Sequence, residues 1–494
     1  MPPSNFSPSL IDLNDYLGPS QLCIKPTESI EPIIKEEVPS AVTEIRLDEV
    51  PITLSAPEPL PQKKAEISLT DCLACSGCVT SSESVLVALQ STSQLYSTLK
   101  ADTTLYPIIS ISTQSLASLS AYYKLSISAT FESLKTFFIE IIGFHLVFDS
   151  KFSQALSLYQ TKLEFDRIHR QKQAQVKPKT ILSSSCPGWI CYAEKTQTED
   201  ILNMISNVKS PQAIQGSIIK STQFSKLINV TPNQIYHVTI MSCYDKKLEA
   251  SRQDFINSES GVKDVDLVLT TGEVQKMLEE HHFDLLSASS SQPQITQTSN
   301  APKLSSEVTS HTPSTSIIPT WIDRPESERS SSGGYLQFII QSILDEHKSA
   351  DATLTIERKR GRDYCEYLIT TTDQDTKKVL FKGAHCYGFK NLQNLVRKFK
   401  GPTDYVEVMA CPSGCLNGGG QISKPDHYET RDWLDELESK YSTSGISPPT
   451  MISQDEEIED WLKKWFPDQK DHQNLFKTQY RVVPIETNGF AVQW

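Results

Sequence analysis

The sequence predicts an α/β protein built on mainly parallel sheets. Three observations carry that reading. Short apolar, β-branched runs alternate with segments of helical spacing. Three of those runs end in a cysteine, and parallel sheets collect their function in the loops beyond the strand carboxyl ends. Finally, 38% of the 494 residues are hydrophobic, enough for two or three domains with a sizeable core.

The elements follow in order. PIISIS (Pro107–Ser112) is a short strand-like run, and LASLSAYYKL after it has helical spacing. TILSSSCPGW (Thr180–Trp189) rises as a strand into a turn punctuated by Pro187 and Gly188. YHVTIMSC (Tyr236–Cys243) and VDLVLTTGE (Val265–Glu273) are further runs of the same kind. YCEYLI, KKVLFKGA, a helix over Gly388–Phe399 and DYVEVMAC continue the alternation. The most apolar stretch, FFIEIIGFHLVF (Phe137–Phe148), is too short to span a bilayer and carries Glu140.

Two stretches interrupt the pattern. Residues 26–68 are acidic and proline-rich and read as a flexible linker. Residues 286–334 are dominated by Ser, Thr, Gln and Pro and read as a disordered insertion. The expected organisation is an N-terminal segment over 1–90, a core over 91–285, the insertion, and a second part of the core with the C-terminal tail over 335–494.

A net charge of −13 and a pI near 5.4 argue against nucleic-acid binding, and Arg397-Lys398-Phe399-Lys400 reads as a solvated helix end. The opening MPPSNFSPSL lacks the charged and apolar regions of a secretory signal. With eleven cysteines, a reducing compartment and metal or redox chemistry are expected in place of disulfides.

Cys186, Cys243 and Cys411 end three strands, and Cys415 lies four residues past Cys411 in VMACPSGCLNGGGQ. Parallel strands would bring these four thiols to one edge. Four thiolates hold either tetrahedral zinc or a 4Fe-4S cube, and a one-one-two distribution over strand-end loops suits a cube in a cleft. Gly418, Gly419 and Gly420 would let backbone N–H groups approach cluster sulfides, although a plain tight turn also explains them. DCLACSGCV places Cys72, Cys75 and Cys78 at ferredoxin spacing, with Cys23 upstream as the fourth ligand; zinc is the alternative. Cys191, Cys365 and Cys386, with His145, His237 and His385, read as core or incidental residues.

These motifs resemble the iron-only hydrogenase-like proteins, which comprise cytosolic iron–sulfur assembly factors and nuclear prelamin A recognition factors, relatives of FeFe-hydrogenases. The matching segments are DLNDYLGPSQLCIKP, DCLACSGCV, SSSCPGWICYAEK, TIMSCYDKKLEASR and VEVMACPSGCLNGGGQ, in family order from Ile11 to Gln421. The resemblance implies two α/β lobes around a cleft, preceded by a small ferredoxin-like segment. It also implies two 4Fe-4S clusters, on Cys23, Cys72, Cys75 and Cys78 and on Cys186, Cys243, Cys411 and Cys415. The implied role is non-catalytic: bridging the early scaffold and late targeting complexes that mature cytosolic and nuclear iron–sulfur proteins. Its place would be the cytoplasm, with the nucleus suggested by the prelamin-binding relatives.

True hydrogenases carry two adjacent cysteines in the first cleft motif, one of them a proton relay; here Ser185 precedes Cys186. A hydroxyl is a poorer relay than a thiol. Lys246 keeps the position that contacts the di-iron unit in hydrogenases, and a structural ion pair explains it equally well. A redox enzyme and a zinc-stabilised nuclear interaction protein are the rival functions. The chain ends FAVQW, close to the apolar–acidic–tryptophan tail of proteins served by the targeting machinery, except that Gln493 is not acidic. Trp494 is expected either to dock in a partner's pocket or to pack on its own domain.

Overall fold

A serine-and-threonine-rich chain needs many ways to satisfy hydroxyls, and helix starts supply them. In the computed structural model, which describes residues 81–173, 180–257, 260–290, 317–318, 332–347, 352–373, 376–398, 403–442 and 451–483, serines cap helix after helix. Ser112, Ser126, Ser210 and Ser221 each accept from the backbone N–H three residues on.

Nine strands are described: β1 (Tyr106–Ile111), β2 (Leu146–Asp149), β3 (Ile181–Ser183), β4 (Ile235–Met241), β5 (Leu267–Thr270), β6 (Thr353–Arg360), β7 (Tyr364–Asp373), β8 (Thr376–Tyr387) and β9 (Tyr405–Met409). They form two sheets. The first is wholly parallel in the order β2-β1-β4-β5, with Ile109 opposite both Val147 and Val238. Its central strands are buried almost throughout, as parallel strands covered on both faces must be. The second runs β3-β9-β8-β7-β6: β3, β9 and β8 are parallel, whereas β8, β7 and β6 form an antiparallel meander. The mainly parallel α/β expectation holds. The meander went unread because the sequence between β7 and β8, Gln374-Asp375, carries no Asn-Gly or Asp-Gly signal.

Each sheet has its own core. Trp189, Leu336, Ile339, Phe381 and Tyr405 are sealed around the second sheet, while Phe137, Phe138, Leu119 and Trp433 pack on one face of the first and Phe152, Ile218 and Phe466 on the other. The apolar FFIEIIGFHLVF stretch divides between a π-helix (Phe137–Ile142), closed by Gly143 at φ +94°, and β2. Among the described residues no helix is long and apolar enough to cross a membrane.

His237 in β4 is a core residue, as expected. Its ring lies 2.9 Å from Ser110 Oγ and 2.9 Å from the Asp264 carbonyl, and burial holds it far down, at about 3, so it stays neutral. Asp264 pairs with Lys209 at 2.9 Å, and Asp266 pairs with Lys220 at 2.7 Å. The helix Pro211–Ile219 approaches this loop so closely that a methyl at Gly216 would run into the Asp264 carbonyl. Gly216→Ala is therefore expected to cost about 1–3 kcal/mol, read as a lower urea midpoint with an unchanged slope. An unchanged midpoint would show that the loop yields at no cost.

Candidate metal centre

The ends of β3, β4 and β9 build the site. β3 and β9 pair in parallel, with Ser183 opposite Glu407, so Cys186 and Cys411 leave the same edge. Cys186 is the residue before the helix Pro187–Thr196, where proline suits the first turn. Ser184 fastens this corner: its hydroxyl donates to the Val408 carbonyl (2.5 Å) and accepts from the Cys186 N–H (3.1 Å). The Cys186 sulfur in turn accepts from the Ala410 N–H at 3.5 Å.

The CPSGC loop then turns through Ser413 at φ +58° and Gly414 at φ +78°. The Ser413 N–H donates to Asp363 Oδ1 (2.8 Å) and the Cys415 N–H to Ser332 Oγ (3.0 Å). β4 supplies Cys243 from the other sheet, and the glycine run packs on that strand end. A methyl at Gly418 would strike the Ser242 carbonyl; the Gly420 N–H donates to that same carbonyl, and the Gly272 N–H to Gly420 O, both at 3.0 Å. These contacts correct one expectation. The Gly420 N–H is taken by protein backbone, not left for sulfides, and the Gly418 N–H turns back on the Cys415 carbonyl at 3.2 Å. The glycines serve close backbone approach.

All four strand-end thiols are thus brought together. Cys411 lies within electrostatic reach of Cys186, Cys243 and Cys415. Loss of water around them pushes every one of these thiols up, Cys415 to about 12, and mutual repulsion with nearby Asp245 adds to the rise for Cys186, Cys243 and Cys411. A set of four desolvated thiols is suited to a cationic metal core, which stabilises thiolates and releases their protons on binding. Four sulfurs about 2.3 Å from one zinc ion must crowd together. A four-iron cube takes one thiolate per iron, so its sulfurs stand further apart.

Cys365 and Cys386 are buried in the second sheet, and Cys191 is half-buried. His385 sits 3.0 Å from Tyr367 Oη and 2.8 Å from the Arg362 carbonyl. Cys23, Cys72, Cys75, Cys78 and Trp494 lie outside the described residues, as do the linker 26–68 and most of the 286–334 insertion. Ser332, at the end of that insertion, is buried against Cys415.

Beside Cys186 the space is filled by the chain itself. Lys246 pairs with Glu249 at 2.5 Å, and Glu249 accepts from Ser210 at 2.5 Å, so the structural role of Lys246 is the one observed. Arg252 grips Glu194 with two hydrogen bonds of 2.8 Å. A cavity of about 20 Å³ remains, bordered by Ser185, Cys186, Glu249, Arg252 and Thr478. Arg252 closes the TIMSCYDKKLEASR motif, and Glu194 lies in SSSCPGWICYAEK. Their pairing is unreadable in sequence because it joins two separate motifs.

The family described as iron only hydrogenase large subunit, C-terminal domain, matches residues 106–419. The chain belongs to this iron-only hydrogenase-like family. Among its relatives, "Cytosolic Fe-S cluster assembly factor narfl" of Xenopus tropicalis is 41% identical across 98% of each chain. "Cytosolic iron-sulfur assembly component 3" of Mus musculus is 39% identical across 98% of each. A solved variant of FeFe-hydrogenase HydA1 from Chlamydomonas reinhardtii shares the fold at a TM-score of 0.61 and 20% identity, covering 79% of this chain and 98% of that one. The matched range includes all four cysteines.

Gly418→Ala is expected to push the loop from Ser242, at a cost on the order of 1–3 kcal/mol. In the metal-free protein it should also speed labelling of Cys243 and Cys415 by a thiol reagent. Wild-type labelling would mean that the loop absorbs the methyl without moving either cysteine.

Proposed function

We propose that the protein is a non-catalytic component of cytosolic iron–sulfur cluster assembly that binds two 4Fe-4S clusters. The observation that carries this reading is the convergence of Cys186, Cys243, Cys411 and Cys415 at the carboxyl ends of three strands drawn from both sheets. Near-full-length likeness to proteins named as assembly factors supports the cellular role. These four residues would hold the cleft cluster, and Cys23, Cys72, Cys75 and Cys78 an N-terminal one. Bound clusters supply one-electron chemistry; the chain's part is to present thiolates and exclude water. The protein would bridge the early scaffold and late targeting complexes, docking the latter through Trp494, in the cytoplasm and for nuclear as well as cytosolic clients.

The hydrogenase reading draws on the shared fold, and three features oppose it. Ser185 stands where a proton-relay thiol would be, Lys246 is held by Glu249, and the cavity at Cys186 has about 20 Å³ of room.

Iron, acid-labile sulfide and zinc counted after anaerobic purification test the proposal. About eight irons per chain with matching sulfide are expected for two cubes. Serine at the cleft quartet should remove about half, and reduced protein should evolve no hydrogen. Zinc without sulfide would end the cluster reading.

A further inference from the structure

The stretch Ser332–Leu336 enters the cysteine site as a turn. Gly333 and Gly334 have φ of +108° and +71°, a left-handed pair that glycine adopts without strain. A methyl at Gly333 would meet Gln154 Nε2 and the Tyr335 ring, each at 2.9 Å. Gln154 Nε2 donates to the Gly333 carbonyl at 2.7 Å. Tyr335 Oη lies 3.0 Å from Ser157 Oγ and also hydrogen-bonds to Ser185, the residue before Cys186. The Leu336 N–H donates at 2.8 Å to Oε2 of Glu407, which is fully buried on β9, the strand that ends toward Cys411. The turn is therefore fastened beside two of the cysteines.

Ser332 meets a third, Cys415, directly. It is 1% exposed, and its Oγ accepts from the Cys415 N–H at 3.0 Å. A hydroxyl that accepts one hydrogen bond still has its own proton to give. The Cys415 thiol is within its reach, and the serine side chain works against the rise that burial causes there. A donor aimed at a ligating sulfur favours the more negative state of the metal group that the sulfur binds.

We propose that Ser332 is a positioning residue of the cleft site, holding Cys415 by its backbone N–H and donating its own O–H to the Cys415 sulfur. The turn Ser332–Tyr335 is thus a part of the wall of the site, supplied by a segment that contains no cysteine. The anchoring of Cys415 stands on the protein alone, whereas the effect on a bound cluster rests on the cluster reading above.

The first test is hydrogen exchange of the metal-free full chain, read by mass spectrometry on the peptide that carries Cys415. Ser332→Ala should speed exchange there several-fold, and Ser332→Thr, which keeps the hydroxyl, should keep the wild-type rate. Wild-type exchange in the Ala variant would overturn the anchoring. The second test uses cluster-replete protein whose N-terminal quartet is serine, so that the cleft cluster alone is titrated. Ser332→Ala should shift its midpoint potential downward, because the reduced cluster carries one more negative charge and has lost a donor. Ser332→Thr should restore the wild-type value. A serine that only fills space would leave the midpoint of the Ala variant unchanged, and that result would overturn the donor role. If the Ala variant does not fold, a high-resolution crystal structure of the wild-type chain decides. Ser332 Oγ within hydrogen-bond distance of both the nitrogen and the sulfur of Cys415 is expected, and an Oγ turned away from the sulfur would overturn the donor role. A protein that never carries iron would end the cluster reading while leaving the exchange result intact.

Discussion

Parallel pairing of β3 with β9 is the constraint on which the site depends. Because the two strands run the same way in register, Cys186 and Cys411 must emerge at one edge, although 225 positions separate them in the chain. An antiparallel pairing would send them to opposite ends of the sheet. The Ser184 bridge to Val408 locks this register at its last rung, next to the thiols. β4 then brings Cys243 from the other sheet, and the CPSGC turn adds Cys415. Three short strands and one turn thus bring four thiols together on loops that backbone hydrogen bonds hold in place. That is the kind of rigid support a positioned ligand set needs.

Much of this was legible in the sequence because strand and ligand were adjacent: ILSSSC, VTIMSC and VEVMAC each state a buried run and its terminal thiol together. Cys365 and Cys386 were likewise readable as buried, since each sits within an apolar run. What could not be read is everything that depends on two distant segments meeting. Ser332 was part of a polar stretch with nothing to distinguish it from its serine neighbours, yet its hydroxyl receives the Cys415 N–H. The glycine run illustrates a subtler miss. Glycine announces close approach but not of what, and the neighbour proved to be the Ser242 carbonyl. Lys246 was ambiguous for the same reason, because Glu249 three residues on could be a helix neighbour or an irrelevance until the helix was seen.

The ground beside Cys186 is held by charged groups of the chain itself, in two ion pairs, Arg252 with Glu194 and Lys246 with Glu249. Buried pairs of this kind repay their desolvation only when geometry is good and further hydrogen bonds satisfy the remaining atoms. Glu194 meets that condition, taking both Arg252 nitrogens at 2.8 Å and the Arg481 N–H at 3.2 Å. Removing either partner would strand a charge in the wall of the site, so the arrangement resists piecemeal change.

The same pairs tie the end of the described chain to the thiol corner. Arg252 bonds at once to a carboxylate on the helix that starts after Cys186 and to the Gln479 carbonyl. Any motion of Gln479 therefore acts on Arg252, and through it on Glu194 and the helix whose first turn follows the cysteine. The chain beyond Val483 leads to Trp494, for which the sequence offers two roles, docking in a partner's pocket or packing on its own domain. The clamp beside the thiol is thus built jointly from the helix after Cys186 and the end of the described chain, with Arg252 as the shared donor.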